Sequence, residues 1–216
     1  MKQDSFLIAS MVLTLPESGY AAPSDTVAFA GHKWRVEAEP SSPETIVTVN
    51  DGAMSVSAAR GVTVLLLKKL RGTYCIRYTR EVLPSQGTIF RVSDLNQFWL
   101  IDPRPLQAPA VRDGRFKSYT PDSLFYVGIG GNNNTTSRFR HYDGSAARPL
   151  LAESDMRLEP GRRYDLRTCV LPDRTEFYID GKRLFSAAQT PPPFSYFALR
   201  STGSKQVVTN FRIEHR

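Results

Sequence analysis

Turn-forming residues break this chain at intervals too short for helices. Asn50-Asp51-Gly52 separates the apolar run Ile46–Val49 from Met54–Ser57, and Arg71-Gly72 separates Val62–Leu67 from Thr73–Val82. Asparagine, aspartate and glycine tolerate the left-handed backbone that a tight hairpin requires, so these clusters between apolar runs mark strand reversals. Lys33–Glu39 alternates apolar and polar residues as a half-buried strand does. Thr88–Val92 and Phe98–Ile101 read as further strands. Arg163–Leu171, Thr175–Ile179 and Arg183–Phe185 follow, divided by Pro172-Asp173-Arg174 and Asp180-Gly181-Lys182; Phe194–Arg200 and Val207–Glu214 close the chain. No segment sustains a helical period and no repeat recurs. About a dozen short strands with turns between them specify a β-sandwich or a barrel.

The 216 residues suit one all-β domain with a core large enough to need no staples. A net charge of +7 favours anionic partners: nucleic acid, a membrane surface or an acidic polysaccharide. The basic residues are spread out, and the densest group, Lys68-Lys69-Leu70-Arg71, accompanies no helix-turn-helix, zinc-finger or RNA-recognition pattern, so nucleic acid is not expected. Lys2, the apolar run Phe6–Leu15 and the small residues Ala21-Ala22 describe a secretory leader over residues 1–22, leaving 23–216 as a secreted or periplasmic domain. No other run is long enough to span a bilayer. Cys75 and Cys169 each fall in a strand. They are either a disulfide of an exported chain or two buried small hydrophobes. His32, His141 and His215 lack metal-ligand spacing, so neither a metal site nor a cofactor is expected.

The stretch Phe125–Gly144 carries the functional signal. It reads as two strands joined by the amide-rich turn Asn132-Asn133-Asn134-Thr135-Thr136. Alternation sets Val127 and Ile129 on the core side, with Tyr126, Gly128 and Gly130 opposite; Phe139 and His141 then face the core, and Arg138, Arg140 and Tyr142 face outward. If Phe98, Leu100, Phe197 and Leu199 point inward, Gln97, Trp99, Tyr196 and Arg200 join the outward face. Glycines lower a surface, aromatic rings stack on sugars, and guanidinium forks bind carboxylates. The pattern therefore predicts a groove for an acidic sugar, lined by Arg138, Arg140, Gln97, Trp99, Tyr196 and Arg200, with Asn133 and Asn134 beside it. The opposing reading is a solvated polar sheet face with a turn built of asparagines. Residues 102–124, which contain Pro103, Pro105, Pro109 and Pro121, form a long irregular excursion of the kind that is often functional.

Cleavage of a uronate by a lyase needs a donor that neutralises the carboxylate, a base for the C5 proton and an acid for the leaving oxygen. Arg138 and Arg140 suit the first role, and His141, Tyr126 or Tyr142 the others, although alternation sets His141 on the core side. A glycoside hydrolase instead needs two carboxyl groups, roughly 5–5.5 Å apart for retention and 6.5–9.5 Å for inversion. Asp94 is the best placed of Asp94, Asp102, Asp143 and Glu153, since Asp102 and Asp143 sit in turn sequences. A binding module without catalysis is the alternative to either enzyme.

Two sets of residues carry a resemblance. Glu176-Phe177-Tyr178-Ile179-Asp180-Gly181-Lys182-Arg183-Leu184-Phe185 is similar to a hairpin common in concanavalin A-like lectin/glucanase jelly rolls. Asp94–Trp99, Asp102-Pro103, Gly114-Arg115-Phe116, Tyr126-Val127-Gly128, the Asn-Thr turn and Arg138–Tyr142 together resemble a family of secreted bacterial proteins, domain of unknown function 6250, from about Trp34 to Ile213. The resemblance implies a concanavalin A-like jelly-roll sandwich of two antiparallel sheets and a role in bacterial polysaccharide use, with no established catalytic residues. Neither the Glu-x-Asp-x-x-Glu motif of retaining glucanases of that fold nor the Gln-Ile-His strand of its alginate lyases occurs here. Some relatives of the fold hold calcium at a sandwich edge, which the sequence leaves open.

Overall fold

A computed structural model describes residues 26–215 except Ser42, Pro105, Gln107 and Ala146; the leader expected over 1–22 lies outside the described residues. Thirteen strands form: β1 Thr26–Phe29, β2 His32–Ala38, β3 Ile46–Asn50, β4 Ala53–Leu66, β5 Tyr74–Val82, β6 Leu95–Asp102, β7 Ser123–Gly130, β8 Thr136–Asp143, β9 Leu150–Ser154, β10 Arg163–Val170, β11 Arg174–Ile179, β12 Lys182–Ala188 and β13 Tyr196–His215. The Asn50-Asp51-Gly52 hairpin forms where the turn chemistry requires it, with Asp51 and Gly52 at φ +50° and +72°.

Two long strands organise the rest. β4 and β13 pair antiparallel along their lengths, from Ala198 opposite Leu65 to Val208 opposite Met54, and a bulge between Thr202 and Ser204 interrupts them. Gly203, at φ +59°, marks the bend. On one side of it they join β1, β2, β6, β7, β8 and β9; on the other they join β3, β5, β10, β11 and β12. The result is a jelly-roll-like sandwich of two antiparallel sheets. The sequence suggests four short strands where the fold has β4 and β13, because glycines and serines at the corner bend a strand without ending it. Thr88–Val92, expected as a strand, is instead an irregular segment with an isolated bridge between Gln86 and Phe90.

Between the sheets, Trp34, Val64, Trp99, Val127 and Phe197 of the first meet Met54, Ile76, Tyr78, Phe177 and Val208 of the second. Each such side chain contributes roughly 1.5–3 kcal/mol by leaving water. Cys75 and Cys169 face each other across β5 and β10 and form a disulfide that closes a 94-residue separation.

The outer face of the first sheet is covered too. Residues 109–122 of the excursion cross it as a strap, with one 3-10 turn at Phe116–Tyr119. Phe116 and Tyr119 pack on a second apolar cluster that includes Leu65, Phe98, Leu124, Tyr126, Tyr142 and Tyr196. The Arg35–Glu37 pair on β2 holds the strap down. Arg35 Nη2 donates to the carbonyl of Ala110 at 2.8 Å, while Glu37 accepts the Tyr119 hydroxyl at 2.7 Å and the Arg112 backbone N–H at 3.1 Å. This second cluster corrects the facing expected for β6. Phe98 points out beneath the strap, whereas Gln97 and Trp99 point into the core, 1% and 0% exposed. The Trp99 indole stacks on Phe139 at 5.7 Å, and Gln97 donates to Thr168 Oγ1 at 2.6 Å while accepting from Tyr78. With apolar residues on both faces, alternation by itself had no way to choose.

Candidate functional site

Beyond the edge of the strap the same face stays open. Register places one row of residues across five strands: Thr63, Arg200, Asn96, Gly128 and Arg138, on β4, β13, β6, β7 and β8. The next row toward the strap runs Leu65, Ala198, Phe98, Tyr126 and Arg140. A cavity of about 430 Å3 lies over these rows. It is lined by Asn96, Tyr126, Gly128, Arg138, Arg140 and Arg200, with Glu39, Arg91, Asp94, Asn132 and Arg148 among its walls.

Gly128 makes the floor possible. A Cβ there would lie 2.2 Å from the Tyr126 hydroxyl and 3.0 Å from Asn96 Oδ1, so both polar atoms overhang bare backbone. The Asn96 side chain is locked from below, because its Nδ2 donates to Asp94 Oδ1 at 3.0 Å. Its Oδ1 is buried and accepts no hydrogen bond among the described residues. Asp94 sits at φ +62°, an uncommon backbone that aspartate tolerates better than most residues; it accepts Ser93 Oγ at 2.7 Å and lies 3.6 Å from Arg91. The core braces the floor: Arg80 donates to the backbone carbonyls of Asn96 and Arg200 at 2.6 and 2.7 Å.

The charges are unevenly matched. Arg138 pairs with Glu153 at 2.6 Å and Arg91 with Asp94. Among the described residues Arg140, Arg148 and Arg200 have no carboxylate partner: Arg140 donates to the Arg148 carbonyl, and Arg148 and Arg200 lie 5.5 and 5.0 Å from the Phe116 ring centroid. Arg200 is 2% exposed, bound to Thr63 Oγ1 and the Gly114 carbonyl, so it acts as charge beneath the surface. A larger hollow of about 650 Å3 crosses β5, β10 and β13; its Arg77 and Arg212 share the Glu214 carboxylate, and its Arg167 stacks over the Tyr178 ring at 3.7 Å. Burial first, then the Asp94 carboxylate, holds the Tyr126 phenol well above its ordinary range, and burial raises Tyr142 to about 12. At neutral pH both are uncharged.

The structure brings together Arg138, Arg140, Arg200, Tyr126 and Asp94 from the residues expected at the site. Others lie elsewhere. Gln97 and Trp99 are core residues. Tyr142 and Tyr196 belong to the outward cluster, but both are buried. His141 is on the opposite side of the sheet, stacked on Phe125 at 4.5 Å and facing a separate hollow with Asp102, Arg104 and Pro191–Pro193. Burial lowers its pKa, against the opposing pull of Asp143. The turn Gly131–Asn134 is left-handed, with Asn132, Asn133 and Asn134 at φ +50°, +57° and +61°. Asn134 is spent on the Leu158 backbone, donating and accepting at 2.8 Å, and it is Asn132 that reaches the cavity wall. Asn96, Glu39, Arg91 and Arg148 were not expected. Asn96 follows directly once Phe98 is known to point outward; Arg148 lies in a loop whose path no local pattern fixes.

Residues 56–211 match the family described as Domain of unknown function (DUF6250). The chain belongs to this family. No functionally curated protein matches it in sequence. Among solved structures, it is similar to a protein of unknown function with a galectin-like fold from Bacillus subtilis, at 13% identity and TM-score 0.63 over 84% of this chain and 89% of that one. The carbohydrate binding module CBM66 from Bacillus subtilis aligns at 13% identity and TM-score 0.57, over 84% and 94% of the two chains. The Bacillus licheniformis beta-glucanase aligns at 12% and 0.54, over 91% and 99%. These likenesses establish the shared sandwich fold, and fold alone does not assign a reaction.

Proposed function

We propose that this family member binds an acidic saccharide, a uronate within an oligo- or polysaccharide, in the cavity over Gly128. The observation that carries the reading is the set Arg140, Arg148 and Arg200, three guanidiniums with no carboxylate partner among the described residues around one hollow. A sugar carboxylate supplies the missing anion, and its hydroxyls meet the Asn96 amide and the Tyr126 phenol. Two neighbours in fold named for carbohydrate chemistry add support by analogy. Export on the expected leader is part of the proposal, and the disulfide suits an oxidising compartment.

Calorimetric titration with uronate and neutral oligosaccharides tests it. A charge-assisted hydrogen bond is worth roughly 1.5–3 kcal/mol, so each lost arginine contact weakens binding about tenfold to a hundredfold. Arg140→Ala with Arg148→Ala is expected to lose uronate binding and its salt dependence. Preferential binding of neutral sugars, or an unchanged double variant, refutes the assignment.

Catalysis is the second reading, favoured by a neutral phenol and a carboxylate in one cavity. In an elimination Asp94 takes the C5 proton, the C–H electrons form the C4–C5 double bond, the C4–O bond breaks, and Tyr126 protonates the departing oxygen. Hydrolysis would instead use Asp94 with Glu39, a second carboxylate among the residues that line the cavity. Ultraviolet absorbance of an unsaturated uronate marks the first, and new reducing ends without it the second. A binding module yields neither.

A further inference from the structure

The cavity holds one feature that a simple anion trap does not need. One acceptor of its lining residues, Asn96 Oδ1, is buried and without a donor among the described residues. Its orientation is not free, because only the Nδ2 end can donate to the Asp94 carboxylate, which turns the oxygen toward the floor. Beside it stands Asp94 itself, a second acceptor and a negative charge, already held by Ser93 and lying 3.6 Å from Arg91. Arg200 is the register neighbour of Asn96, but its Nη1 is committed to Thr63 and Gly114.

We infer that the Asn96–Asp94 pair selects a sugar hydroxyl at this corner, so that the cavity takes uronates carrying a free hydroxyl there and rejects their sulfated counterparts. The inference rests on the acidic-saccharide reading and narrows it. A hydroxyl donates to Asn96 Oδ1 and satisfies a buried acceptor. A methyl ether keeps the size but removes the donor. A sulfate ester brings only acceptor oxygens and a negative charge against Asn96 Oδ1 and the Asp94 carboxylate, so the same corner that attracts the hydroxyl repels the ester. A polyanion receptor that relied on arginines alone would rank these ligands in the opposite order, since sulfation adds charge. A site built to bond a hydroxyl discriminates sharply against analogues that lack it.

The test uses the full-length mature protein and trisaccharides of galacturonate, glucuronate and mannuronate, each unmodified, O-methylated and O-sulfated, titrated calorimetrically at fixed ionic strength. The unmodified form of at least one series is expected to bind. Methylation weakens that binding about tenfold and sulfation more, despite the added charge. Asp94→Asn keeps side-chain bonding to Asn96 but removes the charge, so the ratio of sulfated to unmodified affinity rises about tenfold while the melting transition shows the variant folded. Sulfated ligands that bind as tightly as unmodified ones overturn this inference and leave the acidic-saccharide reading standing. Absence of binding by every form overturns both. Because the ligand series uses the native protein, a variant that fails to fold does not shelter the claim.

Discussion

Replacing Gly128 with alanine isolates the floor of the cavity. The added methyl would lie 2.2 Å from the Tyr126 hydroxyl oxygen and 2.7 Å from its Cζ. Carbon contacts are comfortable at about 3.5–4.0 Å, so the ring must retreat by about 1 Å. Phe116, Phe98 and Tyr142 enclose it at centroid distances of 5.2, 5.5 and 6.1 Å, which leaves little room to do so. Overpacking of this kind costs about 1–3 kcal/mol, and at this chain length each kcal/mol lowers the melting temperature by about 2–4 °C. Uronate affinity falls at least about tenfold, because the phenol that the methyl displaces is pushed into the space where the sugar would rest. Adding Tyr126→Phe removes the worst clash, so stability partly recovers, with a coupling of about 0.5 kcal/mol or more, while affinity does not. Urea unfolding and calorimetry read the two quantities separately. A Gly128→Ala protein with native stability and native affinity would falsify the placement of Tyr126 over that glycine and of the ligand above it.

Three further outcomes are expected. Cys75→Ala with Cys169→Ala lowers unfolding free energy by about 2–5 kcal/mol, since the bridge spans a 94-residue separation; a loss below about 1 kcal/mol in urea titration contradicts that. His141 has its pKa lowered by burial, so the unfolded chain binds more protons than the folded one as pH falls through the ordinary histidine range. Stability is then full above about pH 6.5 and declines below it. His141→Gln shallows that decline, which His32, shifted the same way, keeps from vanishing, and leaves uronate binding unaltered. Glu37→Gln weakens the anchor of Tyr119 and Arg112, so native-state hydrogen exchange over 110–122 speeds up while exchange in the core strands does not.

Much of the fold is legible locally. The Asp-Gly turns have φ values that few residues accept, and the alternation on β7 and β8 set Arg138, Arg140 and Tyr126 on the correct face because Val127, Ile129 and Phe139 are unambiguous. On β6 the same rule misleads: Phe98 and Trp99 are both apolar and both buried, one under the strap and one between the sheets. His141 shows the reverse case, a titratable residue of catalytic type that its own register carries to the wrong side of the sheet. Asn133 and Asn134 sit in a sequence that suits hydroxyl recognition equally well as a turn, and only the Leu158 backbone bonds show that Asn134 is spent on structure.

Composition, turn chemistry and period-two alternation by themselves determined an all-β sandwich or barrel with a basic face on the strands around Gly128, because those signals depend on a residue and its immediate neighbours. Tertiary structure decided which half of that face stays open and which charges remain unmatched. The strap is fixed by Arg35 and Glu37, more than seventy residues away in sequence from the backbone atoms they hold, and the row Arg200–Asn96–Gly128 exists only through pairing of three distant strands. Such contacts form between segments that share no local pattern, so no window of the sequence contains them.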